Sequence, residues 1–176
     1  MFFLISCGTT NRIVEIKDSF KEIKGIKLLQ KPQAVSSEKT GSFGAHRYYN
    51  LKVSYLFQQL KKGQTIVIAE FQMTTRVSTD ELDSILFFDL DHEKVKLIST
   101  ENNSYQLMKR EFIVPENLWV SIVHSQEIFY RLYVGKEGVD VKLNASEISK
   151  VKEFFQRAIQ QRDADRPPVP EGQKKW

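Results

Sequence analysis

The stretch HRYYNLKVSYLF, residues 46–57, places Tyr49, Leu51, Val53, Tyr55 and Phe57 at every second position. Successive side chains of a β-strand point to opposite faces, so this pattern predicts a half-buried strand with one apolar face. Polar residues such as Asn50 and Lys52 occupy the alternate positions. Leu60-Lys61-Lys62-Gly63 reads as a turn, and TIVIAEFQMTTRV, residues 65–77, is rich in β-branched residues. Together the two runs predict a hairpin.

The same reading extends in both directions. Upstream, Ile13, Glu15 and Lys17, then Ile23, Ile26 and Leu28, alternate in places, with EIKGIKLL strand-like and a helical turn allowed around Ser19–Ile23. Residues 31–45 contain Pro32, three serines, Gly41 and Gly44, the composition of a loop. Downstream, SILFFD (84–89) and KVKLI (94–98) flank a short polar segment and predict a second hairpin. YQLMKREFIV (105–114) is a further strand, broken by Pro115, a residue tolerated at a helix start. Leu118, Trp119, Ile122 and Val123 then fall at helical spacing, so a short helix is expected near 116–125. EIFYRLYV (127–134) alternates again, and Val139–Leu143 returns as a strand after Gly135 and Gly138.

Asn144-Ala145-Ser146-Glu147 has the form of a capping box. Ile148, Val151, Phe155, Ala158 and Ile159 follow at the 3.6-residue period, predicting a long helix near 145–162 with one apolar stripe. The fold class expected is α+β: a mostly antiparallel sheet of about six to eight strands plus these two helices. A two-sheet sandwich is the alternative architecture. Residues 12–163 form a single domain in this reading, and residues 164–176 a Pro-rich disordered tail.

Composition bounds the function. The chain has 176 residues, 41% hydrophobic and 11% aromatic, enough for a core of one domain. Its net charge of +4 is mild, though residues 1–62 hold eleven Lys and Arg against four Asp and Glu. Such an excess can attract an anionic lipid surface, but no concentrated basic face marks a nucleic-acid partner. No stretch approaches the roughly 20 apolar residues of a membrane-spanning helix.

His46, His92 and His124 are isolated, and no zinc spacing, nucleophile elbow, phosphate loop or dinucleotide motif occurs. The expectation is therefore a non-enzymatic protein with no cofactor and no metal. The most tempting oxygen-ligand cluster is Asp89-Leu90-Asp91-His92-Glu93, where Asp89, Asp91 and Glu93 are weak candidates for a hard cation. Arg131 could bind an anion or pair with a neighbouring carboxylate. Adjacent aromatics such as Phe87-Phe88 and Phe129-Tyr130 must point to opposite sheet faces, so some apolar surface is expected on an outer face as a ligand or partner surface.

The single cysteine excludes an internal disulfide. It lies in Leu4-Ile5-Ser6-Cys7-Gly8, which resembles the lipobox of bacterial lipoproteins: a branched apolar residue three before the cysteine, with small residues flanking it. The resemblance covers residues 4–8 and implies lipid on Cys7, hence attachment to a membrane through a lipid anchor. Gly8-Thr9-Thr10-Asn11 is small and polar, like the tether of such proteins. Gly8 rather than Asp after the cysteine implies, by the enteric rule, the outer membrane over the inner. The five residues before Ser6 are shorter than the roughly 7–15 apolar residues of a signal peptide, so residues 1–11 are read as a truncated signal, lipobox and tether. The expected function is a lipid-anchored protein of the bacterial cell envelope that binds a partner protein or surface component. The alternative is a cytoplasmic module for a small apolar or anionic ligand, with Cys7 an ordinary thiol.

Overall fold

The computed structural model describes residues 11–18, 23–37, 47–60, 64–74, 81–99 and 108–164. The period-two stretch becomes β4, Tyr48–Gln59, and its five alternating apolar residues are all buried. β4 is the hub of a sheet because its two ends have different partners on one side. Its N-terminal part pairs with β3, Gln33–Ser36, and its C-terminal part with β2, Ile23–Leu29. Along its other side runs β5, Thr65–Thr74, in register from Asn50↔Thr74 to Gln59↔Thr65. β1, Arg12–Asp18, lies beyond β2, and β8, Lys109–Val114, beyond β5.

A second antiparallel sheet has the order β10, Glu137–Lys142; β9, Ile128–Val134; β6, Leu82–Leu90; β7, Glu93–Ile98. Its buried face packs on the buried face of the first. Phe71 of β5 meets Tyr130 of β9 edge-on at 5.2 Å between ring centroids, and Phe88 of β6 meets Tyr130 at 4.9 Å. The hydroxyls of Tyr55 and Tyr130, 2.5 Å apart, join the two sheets inside the core. The two sheets are also stitched along their borders by single bridges, Ser99↔Phe112 between the β7 and β8 sides and Ser37↔Val139 between the β3 and β10 sides.

The helices cover the part of the first sheet that the second leaves open. α1, Glu116–His124, starts after Pro115, and its Trp119 Nε1–H donates to the Val114 carbonyl at 2.9 Å. α2, Ala145–Ala164, buries Val151, Phe154, Phe155 and Ala158. Phe154 and Phe155 both contact the Tyr55 ring, and Trp119 lies between Phe57 and Phe155. The capping box forms reciprocally: Glu147 N–H donates to Asn144 Oδ1 at 3.1 Å, and Asn144 N–H to Glu147 Oε2 at 2.9 Å. Glu147 is itself buried, and its other oxygen accepts from Gln33 Nε2 of β3 at 2.8 Å.

The α+β class, the mostly antiparallel pairing and both helices follow the sequence reading; the sandwich alternative is the observed architecture. Ten strands form among the described residues rather than six to eight. The reading of residues 31–45 as loop is corrected at β3: Val35 is buried opposite Tyr49, and four residues between Pro32 and Ser37 are too few to show an alternation. The run from Arg12 to Gln30 divides into the β1–β2 hairpin. The strand expected over 105–114 begins at Lys109, and 105–107 lie outside the described residues, as do residues 19–22 and the tail from 165.

Candidate functional site

The outer face of the four-stranded sheet carries side chains unlike an ordinary solvated surface. Core positions on β9 are Ile128, Tyr130, Leu132 and Val134, so Phe129, Arg131 and Tyr133 point outward. The register sets two rows across this face. In one, Phe87 lies opposite Arg131, which lies opposite Asp140. In the other, Lys94, Asp89, Phe129 and Lys142 follow one another across β7, β6, β9 and β10. Each row therefore sets a ring beside charged groups, and directly opposed side chains are the pairs that interact in a sheet.

The distances show this. Arg131 Nη1 donates to Asp140 Oδ2 at 3.1 Å while its guanidinium carbon lies 5.7 Å from the Tyr133 ring centroid. Lys142 Nζ sits 4.8 Å from the Phe129 centroid and donates to Glu127 Oε1 at 2.9 Å. Phe87 and Tyr133 contact edge-on at 6.3 Å. Between them runs a groove of about 470 Å³, lined by these rings with Asp89, His92, Lys94, Arg131 and Asp140.

The β6–β7 turn forms one end of the groove. Asp91 and His92 are its two loop residues, both with positive φ, 51° and 76°. That is the two-residue hairpin turn whose twist matches the strands, and Asp tolerates it well. The Asp91 carboxylate accepts from Glu127 N–H at 2.7 Å and Gln126 N–H at 2.8 Å, clamping the hairpin tip to the connection between α1 and β9. Asp89 accepts from His92 N–H at 2.9 Å.

Each candidate of the sequence reading can now be placed. Asp89 lines the groove, Asp91 fastens the turn, and Glu93 is exposed at the start of β7. No group of three or more His, Cys, Asp or Glu positioned to hold a metal ion occurs among the described residues. Arg131 has the carboxylate neighbour foreseen for it, Asp140. Cys7 and His46 lie outside the described residues. The contributions of Asp140 and Lys142 were not legible in the sequence. The signal that was available is EIFYRLYV itself, where the outward half of the alternation carries two rings instead of polar residues.

Two other surfaces differ from this one. A depression of about 730 Å³ lies beside the start of α2, but no ring lines it. Its Glu153 is held below the usual carboxylate range by Lys150 at 2.6 Å, with Arg157 at 2.6 Å adding to the effect. On the outer face of the first sheet, Leu56, Ile68 and Ile113 form an aliphatic row, and the Ser99↔Phe112 bridge brings Ile98 and then Ile85 into line with it. Ile98 is 64% and Ile113 42% exposed. No protein family, curated protein or solved structure compared with the chain matches it.

Proposed function

We propose that this chain is a lipid-anchored protein of the bacterial cell envelope whose two-sheet domain is a non-enzymatic binding module, with the groove over β6, β9 and β10 as its ligand face. The anchoring half of the reading rests on Leu4-Ile5-Ser6-Cys7-Gly8 and its likeness to a lipobox. No helix among the described residues is long and apolar enough to cross a membrane, so the proposed attachment is through lipid. Each buried CH₂ of an acyl chain contributes about 0.8 kcal/mol, so two or more chains hold a protein firmly.

The binding half rests on one observation: three half-buried rings and two oppositely charged pairs share one open groove. Grooves with apolar walls and a few placed polar groups are the usual form of a ligand site. The charged groups of this face pair with one another, Arg131 with Asp140 inside the groove and Lys142 with Glu127 beside it. Metabolic labelling with a palmitate analogue in a bacterium, comparing the chain behind a full signal peptide with its Cys7→Ala variant, tests the anchor. Label on the former and not on the latter is expected. Equal labelling, or none with the protein in the cytosol, supports the alternative of a cytoplasmic module whose groove takes a small apolar or anionic ligand.

A further inference from the structure

The chemistry of the groove narrows the ligand, and this step rests on the reading of that face as a binding surface: we infer that the groove takes a neutral saccharide. Lys94 and Arg131 line it together with Asp89 and Asp140, so its strong charges balance. An anion therefore gains no net attraction there. A wholly apolar ligand would strip water from Asp89 and Asp140 and offer no hydrogen bond in return, which is unfavourable. A sugar ring meets both constraints, since its C–H faces are apolar and its rim is a ring of hydroxyls that both donate and accept.

The spacing agrees with that shape. Phe87, Phe129 and Tyr133 supply apolar walls from adjacent strands, and strands in a sheet lie roughly 4.8 Å apart. Charged donors and acceptors lie at the next register positions: Arg131 beside Phe87, Asp140 beyond it, and Asp89 between Lys94 and Phe129. A hydroxyl can accept from Arg131 or Lys94 and donate to Asp140 or Asp89, and hydrogen bonds to charged groups are the stronger kind. The groove is open along its outer side, which admits a chain of sugar units as well as a single one.

Affinity electrophoresis tests this with the full chain in gels containing dextran, mannan or galactomannan, and alginate as the acidic control. Retardation in at least one neutral polymer is expected, insensitive to salt. Tyr133→Ala and Phe129→Ala should weaken it about tenfold, as loss of an aromatic anchor does. Asp140→Asn keeps the side-chain shape and should weaken it too, so a folding defect in the ring variants does not decide the result. Amide shifts of labelled protein on adding the retarding polymer should centre on residues 87, 129, 131, 133 and 140. Retardation by alginate alone, abolished by salt and by Arg131→Gln, overturns the assignment of a neutral ligand and keeps the groove as a binding face for an anion. No retardation in any polymer overturns the saccharide assignment. Retardation that the groove variants leave unchanged overturns the saccharide assignment and the groove reading together.

Discussion

Tyr55 and Tyr130 are fully buried, and their hydroxyls face each other across the two sheets. Removing one leaves the other without its partner, so Tyr55→Phe should cost about 1–3 kcal/mol, while replacing both should recover most of that loss. Urea denaturation of the two single variants and the double variant gives the cycle. Burial holds both phenols above the ordinary tyrosine range, and Tyr130 is raised further by Tyr55 and by Glu147. The unfolded chain ionises these two tyrosines near pH 10 and the folded chain keeps both protonated there, so the unfolded state sheds those protons first. Stability should therefore be insensitive to these groups below about pH 10 and fall above it. An alkaline titration of phenolate absorbance should show both ionising only as the fold is lost, a step missing from the double variant. Gly25 makes a different demand. A Cβ there would lie 2.1 Å from the Phe57 carbonyl oxygen, backbone that cannot swing aside. Gly25→Ala should cost about 1–3 kcal/mol or more, as overpacking does, read from the denaturation midpoint.

Among the elements, β8 offers a direct check of register. Phe112 is buried against Phe71 and its neighbour Ile113 points out. Phe112→Ala should cost about 3–5 kcal/mol and Ile113→Thr within about 0.5 kcal/mol. Equal costs would mean that the strand is paired one residue out of step. In α2, Phe155→Ala should likewise cost about 3–5 kcal/mol, and Asn144→Ala about 1 kcal/mol through the lost cap. Glu147 ties that cap to Gln33, so Glu147→Ala should also speed amide exchange in β3. These elements differ in how plainly the sequence announces them. β4 and α2 are long enough for period two or 3.6 to repeat several times, and Asn144 and Glu147 spell out the cap. β3 is four residues among Pro and Ser, and its order comes from Tyr49 and Glu147, both distant in the chain. The groove is harder still. Period two says that Phe129 and Arg131 leave the core, but only pairing between β6, β9 and β10 brings Phe87, Lys142 and Asp140 to them.

At the scale of the molecule, buried residues from both sheets and both helices form one continuous core. Unfolding followed by backbone and by aromatic circular dichroism should give one coincident transition, as for a single cooperative domain. Two separate midpoints would show the sheets parting independently. The single bridges at Ser99↔Phe112 and Ser37↔Val139 have a further effect. At each of these borders one residue of an edge strand, Phe112 of β8 and Val139 of β10, is met by a residue of the opposite sheet. Among the described residues, β1 pairs on one side only, with β2. β1 is thus one edge open to strand addition, and there exposed Arg12, Glu15 and Lys17 interrupt Ile13, Val14 and Ile16. Charged residues on an edge discourage such addition, so replacing these three by apolar residues would turn β1 into a template for joining one copy of the chain to the next.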